Sequence, residues 1–339
     1  MDAADATRGL IALIRRRTGA TAVEIAGLAR LTGGASRETW TFGATIEGGS
    51  HSGALEAIFR TDPVHGWPTS PGRALEFHTI RAAFEAGALV PEPLWDGDDD
   101  IFGVKCFVMR RIPGETLGGR LVRGPQYAQA RELLPVQLAQ SLARIHRIDH
   151  SRYPELNGLP HPTPGDPPAK LEIDLYEGNL RNDSDEPHPV FELALRFLKE
   201  RMAPLDDQIM VHGDYRLGNM IFGEEGLRAV IDWELSHFGD PMEDLGWLMV
   251  RSWRFGGDKP VAGIGEREAF FEAYERAGGF PVDRNRVRFW EMLGNVKWGI
   301  ITVMQGASYL RGNKSVEHAM IGRRPAETEW ELLKLLEGA

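Results

Sequence analysis

The sequence predicts an α+β chain in two lobes, a small β-rich one followed by a larger helical one. Three observations carry that expectation. The chain has 339 residues, more than one hydrophobic core ordinarily organises. Its first third reads as short strands and turns with one good helix. After Gly114 the apolar residues recur at helical spacing instead. The division is placed at 1–108 and 109–339, with a connector near 108–114.

Each element follows in turn. "MDAADATRGLIALIRRRTG" starts acidic and has a short apolar stretch, so it reads as an amphipathic helix and not as an export signal. "VEIAGLARLTGGASRETWTFGATIEG" reads as strand, glycine turn, strand, and "GALEAIFRTDP" as a third strand ending at Asp62-Pro63. "SPGRALEFHTIRAAFEAG" has a helix start at Ser70 and Pro71 and a stop at Gly87. Leu75, Ile80, Ala83 and Phe84 fit one helical face. "VPEPLWDG" and "FGVKCFVMRRIPG" add two strands around an acidic turn, "DGDDD", for a five-stranded sheet. Beyond them "PVQLAQSLARIHRID", "EPHPVFELALRFLKERM", "GEREAFFEAYERAGG", "RVRFWEMLGNVKWGIITVMQGASYL" and "ETEWELLKLLEG" read as helices. Short strands fall at "MVHG", "MIFG" and "RAVIDW", and "NGLPHPTPGDPPAK" reads as a surface loop. The acid-rich "LEIDLYEGNLRNDSDEPH" stays open between a solvated loop and one wall of a substrate cleft.

Composition excludes several classes. A net charge of −10 argues against a nucleic-acid partner. The single cysteine, Cys106, excludes an intrachain disulfide and a cysteine-rich zinc site. No apolar run approaches the roughly 20 residues of a membrane span, so no membrane partner is expected and a cytoplasmic protein is the simplest reading. His51, His65, His78, His146 and His150 lack metal-ligand spacing, and Ser36 and Ser141 lack the context of a hydrolytic nucleophile. Nothing in the sequence signals an oligomeric state.

The chemistry concentrates in "VHGDYRLGNMIF". Asp214 and Asn219 share one loop, and the hairpin "MIFGEEGLRAVID" brings Asp232 back near Asn219. Two carboxylates and a carboxamide oxygen suit Mg²⁺, a hard ion that takes oxygen ligands together with substrate phosphates. Asn219 and Asp232 would be its ligands. Asp214 is then left to orient and deprotonate an attacking hydroxyl, which in phosphoryl transfer is most of the protein's task.

"HGDYRLGN" followed by "VIDWE" resembles the catalytic signature of the aminoglycoside phosphotransferase and choline kinase-like family, whose fold is protein-kinase-like. "GDPMEDLGWL", "LTGGASRETWTF" and "VPEPLW" extend the resemblance over roughly residues 22–310. It implies a bilobal kinase-like fold and an ATP- and Mg²⁺-dependent transfer of phosphate to a small-molecule hydroxyl. Under it Asp214 is the base, Asn219 and Asp232 hold the metal, and His212 buttresses the loop. The turn Gly33, Gly34, Ala35, Ser36 covers the ATP phosphates. Glu76 pairs with the cation of the third strand, and Phe107, Val108 and Met109, running on to Arg110, meet the adenine edge. Where the family usually places lysine, this chain has Arg60, which can grip phosphate bidentately. That departure, and "GRRPAETEWELL", resemble the phosphotransferase branch similar to the kinase-like domain of some acyl-CoA dehydrogenases.

Around this set, Asp240 is expected to cap a helix and brace the catalytic loop through Arg216, Asp244 to be structural, and Trp233 to pack. A protein kinase is disfavoured, because Trp-Glu follows Asp232 and the loop lacks that class's Arg-Asp pair. A non-catalytic nucleotide-binding module has Arg60 as its one support. The acceptor stays open between cationic substrates such as aminoglycosides and a less polar one, such as a hydroxyacyl thioester. The Trp-rich "SWRFGGDKP" and "NVKWGIITVMQGASYLRG" favour the second if they line the pocket.

Overall fold

The computed structural model describes residues 1–31, 38–61, 72–97 and 99–338. The turn Gly33, Gly34, Ala35, Ser36 and the helix start at Ser70 and Pro71 lie outside the described residues. The chain divides into two compact units. One comprises 1–114, 149–159 and 228–235, and the other 115–148, 160–227 and 236–339.

In the first unit, α1 (Ala3–Thr18) is capped by Asp2, which accepts from the Asp5 amide, and ends on Gly19 at φ 73°. Its three closing arginines complement the helix dipole. β1 (Ala22–Arg30), β2 (Glu38–Glu47) and β3 (Gly53–Thr61) form an antiparallel meander. α2 (Arg73–Glu85), β4 (Pro93–Asp96), α3 (Asp99–Phe102) and β5 (Cys106–Arg110) follow. The sheet order is β1-β2-β3-β5-β4, which makes β5 an interior strand. Trp40, Phe42, Ala44 and Ile46 alternate along β2 and are all buried with Leu10, Leu13 and Ile14 of α1. Two local expectations differ. Phe84, grouped with the buried face of α2, is 42% exposed in the helix's last turn. The acidic turn contains the single-turn helix α3, whose Phe102 ring lies 4.9 Å from that of Phe59.

The second unit is mostly helical. It contains α4 (Gly118–Arg123), α5 (Ala128–His146), α6 (Pro168–Asp183) and α7 (Pro189–Lys199). The strands β6 (Ile209–Val211), β7 (Met220–Gly223), β8 (Gly226–Val230) and β9 (His237–Gly239) come next, and the division between the units falls within β8. α8 (Pro241–Met249), α9 (Arg267–Arg276), α10 (Arg284–Leu310), α11 (Val316–Ile321) and α12 (Pro325–Glu337) complete it. β7 and β8 form the expected hairpin, and β6 pairs with β9, which the sequence did not announce. The acid-rich stretch left open above is helix α6. Its Ala169, Glu172, Ile173, Tyr176 and Leu180 are buried at helical spacing while the acids between them face solvent.

α10, 27 residues long, is the spine of this unit and packs on α8. Gly246 of α8 permits that approach, since a Cβ there would lie 2.6 Å from the Glu291 nitrogen and 2.7 Å from the Trp290 carbonyl carbon. Backbone cannot move aside as a side chain can. Gly246→Ala should therefore destabilise the protein by about 2 kcal/mol or more, read as a lower urea midpoint.

Candidate active site

Residues 212–219 link β6 to β7 in the second unit. A polar loop in such a buried place needs a partner for every group. The fully buried Asp244, on α8, supplies two at its start: it accepts from the His212 amide at 2.8 Å and the Gly213 amide at 2.9 Å. It also meets His146 Nε2 at 3.0 Å, and His146 Nδ1 lies 2.7 Å from the Tyr274 hydroxyl. Burial alone would raise the Asp244 carboxyl, but the His146 bond, the nearby imidazoles and the His212 amide hold it below its ordinary range. Gly213 sits at φ 75°, a left-handed conformation that favours glycine. His212 Nδ1 accepts from the Asp214 amide at 3.2 Å, and the Tyr215 hydroxyl donates to the Leu138 carbonyl of α5 at 2.8 Å.

These contacts present Asp214 with three side-chain donors. Its Oδ1 accepts from Trp247 Nε1 at 2.8 Å and Arg216 Nε at 2.9 Å, and its Oδ2 from Asn219 Nδ2 at 2.6 Å. Asn219 Nδ2 also donates to the Asp214 carbonyl at 3.0 Å. With the amide nitrogen committed, Asn219 keeps its Oδ1 without a partner among the described residues.

Asp240 departs from expectation. It caps α8 by accepting from the Met242 amide at 3.0 Å, and its Oδ2 accepts from Arg286 at 2.5 Å and Trp290 Nε1 at 2.8 Å. Its charged partner is Arg286 and not Arg216. Asp244, expected to be only structural, braces the loop. The cap residue turns back over its own helix's first amides, whereas Asp244, one turn later, faces outward from α8.

A buried cluster absent from the sequence reading underlies the loop. Lys297 Nζ of α10 donates to the Gly213 carbonyl at 3.1 Å and Glu172 Oε2 at 2.6 Å, and lies 3.8 Å from Glu243. His237 Nε2 meets Glu243 Oε2 at 3.1 Å. Glu172, His237 and Glu243 are spaced as metal ligands could be, but the Lys297 ammonium already supplies the positive charge there. Burial would lower Lys297; Glu172, Tyr176 and Glu243 instead raise it well above its ordinary value. Burial raises Glu243 against the pull of His237, while His237, which burial would lower, is held up to about 9 by Glu243 and then Glu172. Burial of Glu243 and the carboxylates facing His237 thus push both partners of this pair upward.

In the first unit, Arg60 of β3 is 9% exposed and its Nη1 lies 2.5 Å from Glu76 Oε1 of α2. Arg73 binds the other Glu76 oxygen and donates from Nε to the Thr61 carbonyl at 3.3 Å. Arg60 Nη2 is 3.5 Å from Asp232 Oδ1. Burial would lower the Arg60 pKa, yet Glu76, Asp232 and Glu234 raise it, so the guanidinium stays charged. Asp232 has φ 68°, a backbone state that aspartate tolerates better than most residues. Trp233 is fully buried, with Nε1 3.3 Å from the Val230 carbonyl.

Phe107, Val108 and Met109 lie inside β5, in register with β3 on one side and β4 on the other. That pairing sets all three within the sheet. The Arg110 and Arg111 amides donate to Glu92 and Glu56 carbonyls. Ile112, next along, is the first whose amide has no partner among the described residues.

Sequence reasoning missed Arg73, Trp247, Glu172 and Lys297. Two signals were present: Asp244 and Trp247 stand three apart on one helix, and Lys297 is a lone cation in the apolar run "GNVKWGII".

A five-stranded antiparallel sheet with a helical second unit is the bilobal α+β architecture of kinase-like proteins. Solved structures agree, though at identities that speak to fold alone. A Ralstonia eutropha protein described as a candidate aminoglycoside phosphotransferase superposes with a TM-score of 0.70 and 22% identity, covering 97% of this chain and 98% of that one. A Mesorhizobium loti protein of the choline/ethanolamine kinase family gives 0.60 and 21%, over 97% and 94%. Spectinomycin phosphotransferase in complex with ADP and spectinomycin gives 0.57 and 15%, over 96% and 98%. The model of the phosphotransferase enzyme family matches residues 27–290, and the chain belongs to that family. Among curated proteins it is similar to acyl-CoA dehydrogenase family member 11 of Rattus norvegicus, 27% identical over 260 residues, which is 73% of this chain and 33% of that protein. Member 10 of Mus musculus is 28% identical over 183 residues, 53% of this chain and 17% of that protein. The chain thus spans about a third or less of these relatives' length. Among the described residues no helix is long and apolar enough to cross a membrane.

The buried histidine leads to a prediction about pH. Because its folded pKa of about 9 exceeds the ordinary 6.5, its contribution to stability is complete below about pH 6.5 and is lost as pH rises through 9. Urea unfolding should show wild type losing up to about 3 kcal/mol over that window, with His237→Gln losing much less.

Proposed function

We propose that this phosphotransferase is an ATP-dependent small-molecule kinase that moves the γ-phosphoryl group to a substrate hydroxyl. The observation that carries the reading is the Asp214 carboxylate, held by Trp247, Arg216 and Asn219 on a loop clamped by Asp244. It is a positioned, largely buried carboxylate that can accept a hydroxyl proton. The hydroxyl oxygen bonds to the γ-phosphorus as the bond to the β,γ-bridging oxygen breaks, giving ADP and a phosphate monoester. Asp214 orients the hydroxyl and takes its proton.

The donor set fits Mg²⁺. Asn219 keeps its carboxamide oxygen and Asp232 offers a carboxylate, both hard ligands. The ion, when bound, neutralises charge on the phosphates. Arg60, kept charged by Glu76, Asp232 and Glu234, is the phosphate-binding cation, and Glu76 fixes its direction. Gly33, Gly34, Ala35 and Ser36 are the proposed cover over the phosphates. Phe107, Val108 and Met109 are the proposed contact for the adenine edge, with the Ile112 amide just beyond them.

ATP use is further supported by a structural neighbour solved with ADP. Its co-ligand spectinomycin, and the hygromycin B of another neighbour, keep an antibiotic as the alternative acceptor. The similarity to acyl-CoA dehydrogenase family members favours a hydroxyacyl compound or other metabolic alcohol.

Asp214→Asn should lower kcat by about 10²- to 10⁴-fold. ATP binding, followed by calorimetry, should change little. Wild-type turnover in that variant would overturn the assignment and leave a nucleotide-binding module as the better reading.

A further inference from the structure

The described residues of the second unit enclose a cavity of about 370 Å³, in the range that small-molecule pockets occupy. It lies where the starts of α6 and α10 meet the end of α7 and the cap of α8. Asp240 is in its wall and Trp247 is seven residues further on, so the cavity sits roughly 10 Å along α8 from the residue that bonds Asp214. Arg201, Ala203 and Arg288 line it and are exposed, so it opens to solvent.

The wall is unbalanced in charge. It carries three guanidiniums, of Arg201, Arg286 and Arg288, and one carboxylate, of Asp240, although the whole chain has a net charge of −10. That carboxylate is already committed: Oδ1 accepts from the Met242 amide, and Oδ2 from Trp290 and Arg286. Arg286 is thereby neutralised, which leaves the other two. Arg201 lies 3.6 Å from Glu200, an exposed acid outside the wall, and so exposed an ion pair is worth little. Arg288 gives one N–H to the Leu335 carbonyl at 3.1 Å and has no carboxylate partner among the described residues. The rest of the wall is largely apolar. Phe197 lies under the Arg201 guanidinium at 3.6 Å, and Phe289 stands edge-on to Trp290 at 5.8 Å. Forked donors beside aromatic rings suit an anion with a flat body.

We infer that this cavity is a second ligand site, separate from the catalytic loop, for a small organic anion. Its carboxylate or phosphate meets Arg288 and Arg201, and its flat apolar body packs on Phe289. The site does not depend on the phosphotransferase reading.

Calorimetric titrations of the full chain with phenylacetate, phenyl phosphate, phenylacetamide and inorganic phosphate test it. At least one of the two aromatic anions should bind with a Kd of ~1 mM or tighter. The uncharged amide and the bodiless phosphate should each bind at least ~10-fold more weakly. The tighter of the two aromatic anions tells a carboxylate ligand from a phosphate monoester. Arg288→Gln should weaken binding about 10-fold or more. Ala203→Trp, which fills the cavity, should abolish it. Both positions are exposed, so the thermal midpoints of these variants should match wild type. Asp214→Asn should bind the anion as wild type does. Both aromatic anions failing that limit, the amide or inorganic phosphate binding as tightly as they do, or Arg288→Gln or Ala203→Trp titrating like wild type would each overturn the site. So would loss of binding in Asp214→Asn, which would put the anion at the catalytic loop. The phosphotransferase reading fails separately, through Asp214→Asn with undiminished turnover.

Discussion

The Asp244 carboxylate is the constraint from which the loop's geometry follows. It bonds two consecutive amides, and Lys297 takes the carbonyl of Gly213. Gly213 is thus gripped through its N–H by one element and through its C=O by another. With both groups fixed and φ in the left-handed region, the direction of the chain entering Asp214 is determined. Both grips are charge-assisted and buried, where such bonds are strongest.

The same economy governs the ionised groups nearby. Lys297 and the imidazolium of His237 face Glu172 and Glu243, so two positive charges meet two negative ones. Removing a single member would leave an uncompensated buried charge, which is why such sets behave as units. Trp247 joins this group to Asp214, since its ring lies near Lys297 and its N–H meets the Asp214 carboxylate. The site is a stack: charges below, an indole between, and a carboxylate above.

How much of this was legible depended on the range of the interaction. The five-strand sheet, α2 and the β7–β8 hairpin came from local alternation, spacing and turn residues. Asp214 and Asn219 were grouped because they are five apart, and Asp232 because a short turn precedes it in the sequence. Lys297 was not found, because its partner Glu172 is 125 positions away and nothing local marks an ion pair inside a helix bundle. α6 was left open for a related reason. Its buried apolar stripe is diluted by exposed acids, and composition outweighed periodicity. Asp240 caps α8 as expected, but the loop is braced by Asp244, because their four-residue spacing gives both a place in one helical turn and does not say which neighbour each faces.

The shared carboxylate of Glu76 has one more consequence. Arg60 holds one of its oxygens and Arg73 the other. In a simple ion pair, swinging the cation toward an incoming anion would strand a bare acid in an apolar interior. Here Arg73 holds the second oxygen, so Glu76 would keep a counter-ion if Arg60 turned away. The second guanidinium thus keeps α2 tied to β3 through Thr61 whether or not the first stays on Glu76.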